Sequence, residues 1–272
     1  MRLVMLGTGH ALVTRRYNTC FVLDDAQGCA LVDAGGGNGV LGRLEDAGID
    51  WRRIRHLFVS HTHIDHLLGA VWVLRLFCHH LNEGSFDGSL AVHGNGEVVR
   101  TLRGVAGQLL RPQETRFFDG RVAFDAVEDG DRRMILGHET AFFDIRSSGA
   151  RQFGFVCEHE PGRLLAFCGD EPYRAGACPQ LEAAALEGGV DWLLHEAFCL
   201  ARDEARYDPH PINHGTVAEA CRTAERLRAR NLVLFHTEDD TGADRARLYR
   251  QEGGRFFSGN LFVPEDGEAL EL

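Results

Sequence analysis

The sequence of 272 residues contains no lysine, so arginine supplies all 29 of its Lys/Arg side chains. The absence of lysine excludes Schiff-base chemistry and a lysine nucleophile. No Cys-x-x-Cys pair occurs among the eight cysteines, which are scattered along the chain. Such a set predicts reduced, mostly buried thiols and no disulfide framework, which favours a cytoplasmic protein.

Long apolar runs are also missing. The longest run, residues 67–78, is too short to cross a bilayer and is interrupted by Arg75. The first residues enter an apolar strand without the layout of a signal peptide, so we expect no membrane partner. Positive charge is scarce, because 29 basic and 40 acidic side chains leave a net charge of −11. This balance argues against a protein that holds nucleic acid by bulk electrostatics.

The composition is that of an ordinary globular protein, with 44% hydrophobic and 25% charged residues. Short apolar β-like runs alternate with helical stretches and glycine-rich turns, which predicts the α/β (α+β) class and a single domain over residues 1–272. The predicted strands cover residues 3–6, 20–23, 29–32, 56–59, 90–93, 164–167, 192–194 and 232–235. The predicted helices cover residues 40–47, 67–80, 97–110 and 216–230, and residues 121–156 are typical of antiparallel strands and hairpins.

Metal-ligating residue types stand where four of these strands end. Side chains at the carboxyl ends of neighbouring strands converge on one edge of a sheet, a usual place for a site. Imidazole and carboxylate groups suit Zn²⁺, Mn²⁺ or Fe²⁺, and a merely solvated histidine-rich loop is a poor explanation of the pattern His-x-His-x-Asp-His. The residues are His61, His63, Asp65 and His66 after the first strand, Asp170 after the second, His195 and Glu196 after the third, and His236 after the fourth.

The spacing within the first group predicts two adjacent metal positions. His61 and His63 are two residues apart and share a face of an extended segment. Asp65 and His66 open the following helix and project to another side, and Asp170, from a different strand, can bridge the two positions. Two metals about 3.5–4 Å apart can clamp a phosphoryl or carbonyl oxygen and lower the pKa of a shared water.

These motifs resemble those of the metallo-β-lactamase fold hydrolases, and within them the ribonuclease Z-like branch. The resemblance implies an αββα sandwich of two mixed β-sheets flanked by helices, with a dimetal site at the edge of the sheets. It rests on Gly7-Thr8-Gly9, Val32-Asp33-Ala34-Gly35, the segment from His61 to His66, Gly169-Asp170, His195-Glu196-Ala197, His214-Gly215-Thr216 and Phe235-His236.

The resemblance also implies a role for each site residue. It puts His61 and His63 on one metal, and Asp65, His66 and His236 on the other, with Asp170 between the two metals. His214 is implied as a proton donor at the scissile group, oriented by Glu196, and Asp65 can in addition hold or accept a proton from the metal-bound water. From the residues alone, an ordinary turn histidine is the favoured interpretation of His214, and the resemblance reverses that preference.

Two features depart from the family's pattern. A further metal-binding histidine is expected before Gly169-Asp170, but residues 145–155 contain none, so the first metal has only His61, His63 and Asp170, and occupancy of the second position alone stays open. The basic arm of tRNA-processing members is absent, because residues 157–163 form a short acidic hairpin.

Asp33 is expected to hold the histidines of the site in position. The candidates for binding one phosphate are Arg146, Arg151 and Arg174.

The leading hypothesis is a metal-dependent hydrolase, a phosphodiesterase in which a metal-activated water attacks a small phosphodiester or a short nucleic-acid end. Its cofactors are one or two divalent metal ions, zinc first, with manganese or iron as alternatives. A homodimer is possible by analogy with the family. The alternatives are a tRNA 3′-end processing endonuclease, a hydrolase of a thioester, lactone or β-lactam, and a non-catalytic, metal-poor relative acting as a binding protein.

Overall fold

The computed structural model describes residues 1–272 and contains two seven-stranded β-sheets. The first sheet has the order β14-β1-β2-β3-β4-β5-β6, and the second has the order β13-β12-β11-β10-β9-β8-β7. Both sheets are mixed, with parallel pairing among β3 to β6 and among β10 to β13. The strands are β1 Arg2–Gly7, β2 Cys20–Asp25, β3 Gly28–Val32, β4 Ile54–Phe58, β5 Leu90–Gly94, β6 Val122–Ala126, β7 Arg132–Ile135, β8 His138–Asp144, β9 Phe153–Glu160, β10 Arg163–Phe167, β11 Trp192–Glu196, β12 Asn231–Phe235, β13 Asn260–Phe262 and β14 Ala269–Glu271.

Helices cover the outer face of each sheet. One cluster of 27 buried residues joins α1, α2 and α3 to the first sheet, and another of 25 joins α5, α7 and α8 to the second. The helices are α1 Gly39–Asp46, α2 Ile64–Asn82, α3 Gly96–Leu109, α4 Pro112–Thr115, α5 Pro179–Glu187, α6 Glu204–Tyr207, α7 Val217–Arg226 and α8 Arg245–Gly253, with 3₁₀ turns at Trp51–Arg53, Ala201–Asp203, His210–Ile212 and Gly242–Asp244. No helix is both long and apolar enough to cross a membrane.

The inner faces of the two sheets pack on each other. In β1, Leu3 and Met5 point into this inter-sheet core, whereas Val4 points toward the helices, as the two-residue period of a strand requires. Aromatic rings join the sheets, with the centroids of Phe21 and Phe167 5.3 Å apart at an edge-to-face angle. The layers are therefore helix, sheet, sheet and helix, so the predicted αββα sandwich is confirmed.

The predicted strands are all present, and two of the predicted helices have bounds that differ from the structure by more than one residue. The second helix begins at Ile64 rather than residue 67, because His63 takes an extended conformation and acts as its N-cap residue. The last predicted helix ends at Arg226, and Arg228 has a φ of 52°, a left-handed conformation that no helix can continue through.

The prediction that residues 121–156 are all antiparallel is wrong for β6. This strand pairs in parallel with β5 at the edge of the first sheet, and only β7, β8 and β9 form the antiparallel set. The acidic hairpin is confirmed, because β9 ends at Glu160 and β10 begins at Arg163. Gly162 takes a φ of 73° in this tight turn, which leaves no room for an inserted arm.

Candidate metal centre

The segment from His61 to His66 connects β4 to α2. His61, Asp65 and His66 are buried, whereas His63 is exposed. The start of α2 is fixed by close backbone packing, since the Gly69 amide donates to the Gly35 carbonyl at 2.8 Å. A Cβ at position 69 would lie 1.8 Å from the Ala34 carbonyl oxygen, so only glycine permits this approach.

Four buried side chains from three elements meet at one point. His66 Nε2 lies 3.3 Å from Asp65 Oδ2 and 3.1 Å from Asp170 Oδ2. His236 Nε2, which follows β12, lies 3.5 Å from Asp65 Oδ2 and 3.4 Å from Asp170 Oδ2. His236 has a φ of 57°, an uncommon value for histidine that aims its ring at this cluster. The predicted set Asp65, His66, His236 and Asp170 is thus brought together.

Opposite charges shape the ionisation of this cluster. Burial alone would raise the pKa of Asp65 and Asp170, but the neighbouring imidazoles hold both values below the usual range. Burial alone would lower the pKa of His66, but Asp33, Asp65 and Asp170 raise it well above the usual value. The cluster therefore presents two ionised carboxylates in a buried space.

The donor set fits a divalent cation. His66 Nε2 and both ring nitrogens of His236 are buried and have no hydrogen-bond partner, although carboxylate oxygens lie within 3.5 Å of both Nε2 atoms. Buried nitrogens are rarely left without a partner, and imidazole nitrogen with carboxylate oxygen is the ligand combination of zinc, manganese and iron. The residues present are therefore suited to hold one such ion.

Asp33 holds this cluster from behind. Its Oδ2 accepts a hydrogen bond from His66 Nδ1 at 2.7 Å, which leaves His66 Nε2 facing the cluster. The Ser60 amide donates to Asp33 Oδ1 at 2.8 Å, and the Ser60 hydroxyl lies 3.0 Å from His61 Nδ1. One carboxylate thus orients His66 directly and His61 through Ser60, which is how proteins set the direction of metal-ligating imidazoles.

The other predicted position is less complete. His61 Nε2 lies 3.6 Å from Asp170 Oδ2 and 2.8 Å from His63 Nδ1. His61 forms a compact group with His66 and Asp170, but His63 joins no group of three. In the segment without the expected histidine, buried Gln152 accepts a hydrogen bond from the Asp170 amide at 2.6 Å through its Oε1. Gln152 therefore helps to fix Asp170.

His214 lies against the cluster on the side of the second sheet. Its Nδ1 donates to the Asp170 carbonyl at 2.9 Å and lies 4.0 Å from Glu196 Oε2, while its ring stacks on Phe198 with centroids 5.0 Å apart. Burial raises the pKa of Glu196 well above its usual value, and burial with His236 nearby lowers the pKa of His214 to about 4. Glu196, His214 and His236 form a third compact group.

His195 has a different role from its neighbour Glu196. Its Nδ1 donates to the Glu196 carbonyl at 2.7 Å, and its Nε2 accepts from the Tyr173 amide at 3.0 Å. Both ring nitrogens are therefore used inside the protein, and His195 is a structural residue of the β11 end.

The arginines differ in their freedom to bind a phosphate. Arg151 is held by Glu128 at 2.9 Å and Asp144 at 3.2 Å, so it is already paired. Arg146 is exposed and takes part in no ion pair. Arg174 is 3.8 Å from Glu171, at the limit of an ion pair. Arg174 also lines a pocket of about 220 Å³ beside the cluster, with Glu171, Pro172, Tyr173, His210, Asn213 and His214.

Sequence reasoning missed one residue at the edge of the cluster. The ring centroid of His10 lies 6.2 Å from that of His236 and 4.6 Å from that of Phe198. His10 directly follows Gly7-Thr8-Gly9, and this position next to a motif is the sequence feature that could have identified it as a site residue.

This fold and the buried cluster at its edge define a metallo-β-lactamase fold protein. Bacillus subtilis YhfI, described as a metallo-β-lactamase fold protein, has a TM-score of 0.75 to this chain at 15% identity, with 99% of each chain covered. The short form of human tRNase Z has a TM-score of 0.71 at 18% identity, with 100% of this chain and 99% of that chain covered.

The sequence is similar to named relatives over its whole length. Ribonuclease Z of Haloferax volcanii is 26% identical, with 100% of this chain and 95% of the relative covered. Ribonuclease Z of Pyrobaculum arsenaticum is 28% identical, with 99% of this chain and 98% of the relative covered. A family described as anti-Pycsar protein Apyc1 matches residues 1–86. The resemblance to the ribonuclease Z-like branch of the metallo-β-lactamase fold is thereby confirmed.

Proposed function

We propose that this protein is a metal-dependent phosphodiesterase. The observation that carries the proposal is the buried meeting of Asp65, His66, Asp170 and His236, with imidazole nitrogens that lack any partner in the protein. The names of its full-length relatives, ribonuclease Z, favour a phosphodiester as the bond that is cleaved. Residues 1–272 are proposed to act as one hydrolase domain, because the inter-sheet core draws on both sheets.

Asp65, His66, Asp170 and His236 would hold one divalent ion, and His61, His63 and Asp170 would hold a second with fewer ligands. Zinc is the first choice, because histidine and carboxylate ligands with an open position are typical of catalytic zinc. When bound, such an ion acts as a Lewis acid on a phosphoryl oxygen and makes a water molecule more acidic.

Orientation of the ligands and proton transfer are the proposed roles of residues of the chain itself. Asp33 keeps His66 in the orientation that exposes Nε2, through the 2.7 Å hydrogen bond to Nδ1. His214 keeps Nδ1–H on the Asp170 carbonyl, so Nε2 is the nitrogen that would take up a proton and pass it to the departing oxygen. Glu196, 4.0 Å from Nδ1, orients the ring of His214. Asp65 can in addition hold or accept a proton from the attacking water.

The favoured substrate is a small phosphodiester or a short nucleic-acid end. The net charge of −11 disfavours binding of a folded RNA, and the tight turn between β9 and β10 carries no basic arm. The pocket of about 220 Å³ beside His214 has room for a leaving group of limited size. Cleavage of precursor tRNA at the 3′ end is the second candidate, because the relatives covered over their full length are named ribonuclease Z.

Hydrolysis of bis(4-nitrophenyl) phosphate by the zinc-loaded protein tests the proposal. We expect turnover with the wild type and none with Asp170→Ala, while Asp46→Ala, a change of an exposed carboxylate on α1, keeps full activity. A panel with a precursor tRNA, a thioester, a lactone and a β-lactam separates the other candidates. Fewer than one metal per chain and no turnover on any substrate would instead favour a non-catalytic binding protein.

We further propose that two copies associate through an apolar face. Leu68, Trp72 and Leu109 line a surface groove of about 400 Å³, and Leu41, Trp72 and Leu76 line an adjoining one of about 190 Å³. An apolar face of this kind marks an interaction surface, and a twofold axis lets two copies bury it against each other. Light scattering should give a dimer for the wild type and a monomer for Trp72→Glu, whereas a monomeric wild type contradicts the proposal.

A cytoplasmic location is proposed from the cysteines. All eight are buried and free, and burial raises the pKa of the Cys168 and Cys221 thiols well above the usual value, which keeps them unreactive. Fractionation of cells that produce the protein tests this location.

A further inference from the structure

His10 is held firmly beside the metal-ligand cluster. Its amide donates to the Thr237 carbonyl at 3.2 Å, and its carbonyl accepts from Asn18 Nδ2 at 2.9 Å. Thr237 is the residue directly after His236, so His10 and His236 share one backbone anchor. The position of the His10 ring is therefore fixed relative to the cluster.

The loop that carries His10 is tied down at a second point. Asp239 Oδ2 accepts hydrogen bonds from the Thr14 amide at 2.7 Å and from the Arg15 amide at 2.8 Å. Asp239 Oδ1 also pairs with Arg16 at 3.2 Å. These bonds join the loop between β1 and β2 to the segment after β12, which also carries His236. They therefore restrict the movement of the loop.

The hydrogen bonding of His10 defines which ring nitrogen is available. Nδ1 accepts a hydrogen bond from the Leu12 amide at 3.3 Å, so in the neutral ring the proton resides on Nε2. Nε2 has no partner within the protein, and the ring is only partly buried between Phe198 and the solvent. His10 thus presents one free N–H donor at the border of the cluster.

We propose that His10 is a substrate-contacting residue whose Nε2–H donates a hydrogen bond to a non-bridging phosphoryl oxygen of the phosphodiester. The inference rests on the proposed phosphodiesterase function. His10 belongs to none of the three compact groups of potential ligands, so its nitrogen is free for the substrate. A donor on a fixed loop is well suited to an anionic oxygen, because hydrogen bonds to charged groups are stronger than those between neutral groups.

Two substitutions of His10 test the contribution of its N–H donor separately from that of its aromatic ring. His10→Phe keeps an aromatic ring against Phe198 but removes the N–H, and kcat/KM for bis(4-nitrophenyl) phosphate should fall by about ten- to a hundredfold. His10→Gln keeps an N–H donor of similar reach and should restore most of that loss. Leu12→Ala, an exposed change in the same loop, serves as the matched control and should leave kcat/KM unchanged.

Metal content and NMR give readouts that are independent of turnover. The His10→Phe protein should keep the metal content of the wild type, because His10 is not a ligand. In spectra of the zinc-loaded, ¹⁵N-histidine-labelled protein, the signals that disappear in His10→Phe should be those of a ring protonated at Nε2, and inorganic phosphate should shift them. Loss of metal in His10→Phe, or a ring protonated at Nδ1, would overturn the inference.

The outcomes distinguish this inference from the function on which it rests. If the wild type hydrolyses the diester and His10→Phe is equally active, the contact of His10 with substrate is refuted and the phosphodiesterase proposal stands. If the wild type hydrolyses no phosphodiester, the proposed function fails, and an unchanged His10 spectrum on addition of inorganic phosphate refutes the contact as well.

Discussion

The two candidate metal positions lie on either side of one carboxylate but are built in different ways. On one side, Asp170 faces His66 and His236 within 3.4 Å, and all three side chains are buried. On the other side, Asp170 lies 3.6 Å from His61, and the next imidazole, His63, is exposed. The first arrangement draws its ligands from three separate elements, whereas the second takes both of its histidines from one loop and shares Asp170 with the first.

This difference in construction indicates which of the two metal positions is fixed by the fold. His236 follows β12 and Asp170 follows β10, so the sheet fixes their separation, while Asp33 fixes His66 through its 2.7 Å hydrogen bond. His63 has no such partner behind it, because its Nδ1 contacts only His61. We therefore expect the position at His66 and His236 to bind metal more tightly.

Among the substitutions that distinguish the two metal positions, the largest effect is expected for His66→Ala. The imidazole of His66 belongs to two of the compact ligand groups, so its removal should lower kcat/KM by roughly a thousandfold or more and reduce the metal content. Steady-state hydrolysis of bis(4-nitrophenyl) phosphate and elemental analysis measure both effects. His79→Ala, near the far end of the same helix, is the control. Retention of full activity by His66→Ala would contradict the proposed centre.

His214→Ala should have the next largest effect, and its size should depend on the leaving group. Loss of a proton donor typically costs about 10²–10⁴-fold when the departing oxygen needs a proton. A diester with an alkyl leaving group should show this loss, whereas 4-nitrophenolate departs readily without a proton and should show far less. Equal losses on the two substrates would argue that His214 positions Asp170 instead of delivering a proton.

Asp33→Asn should weaken the metal without removing a ligand. The amide cannot accept from Ser60 and His66 as the carboxylate does, so metal affinity should fall about 10- to 100-fold. Competition with a chromophoric chelator measures this change, and Asp46→Asn on the surface of α1 is the matched control. An unchanged affinity would show that His66 keeps its orientation without Asp33.

The smallest effect is expected for His63→Ala. Its removal should cost at most one equivalent of metal and about tenfold in kcat/KM, equivalent to about 1.4 kcal/mol of transition-state stabilisation. Comparison with His66→Ala under the same conditions gives the contrast directly. If the two variants lose activity equally, the exposed position is as necessary as the buried one.

Much of the fold could be predicted from the sequence because the strands are short apolar runs with a clear period. Several elements were not predicted, including α5. Among these, β13 and β14 have three residues each, α4 and α6 have four, and α8 is rich in arginine. The strand β6 carries a hairpin-like alternation, and only its pairing with β5 makes it parallel. Sequence alternation reports which face of a strand is buried but not which neighbour it pairs with.

The candidate site shows the same limit. His61 to His66 could be found because these residues are adjacent in sequence, and Asp170 and His236 because each ends a strand. The separate roles of His195 and His214 could not be derived from spacing, since they depend on which ring nitrogens already have partners in the protein. His10 lies in a turn, where no periodic pattern indicates the direction of a side chain.

The missing side chain at Gly69 has a consequence for how the protein acquires metal. The close approach of Gly69 to Ala34 holds the start of α2 against the loop of Asp33 through main-chain contacts, so we expect this part of the site to form without a bound ion. We then expect the metal to bind to a preformed site, without folding that is coupled to binding. The ion-free chain should accordingly unfold in one cooperative thermal transition, with its secondary structure unchanged by chelators.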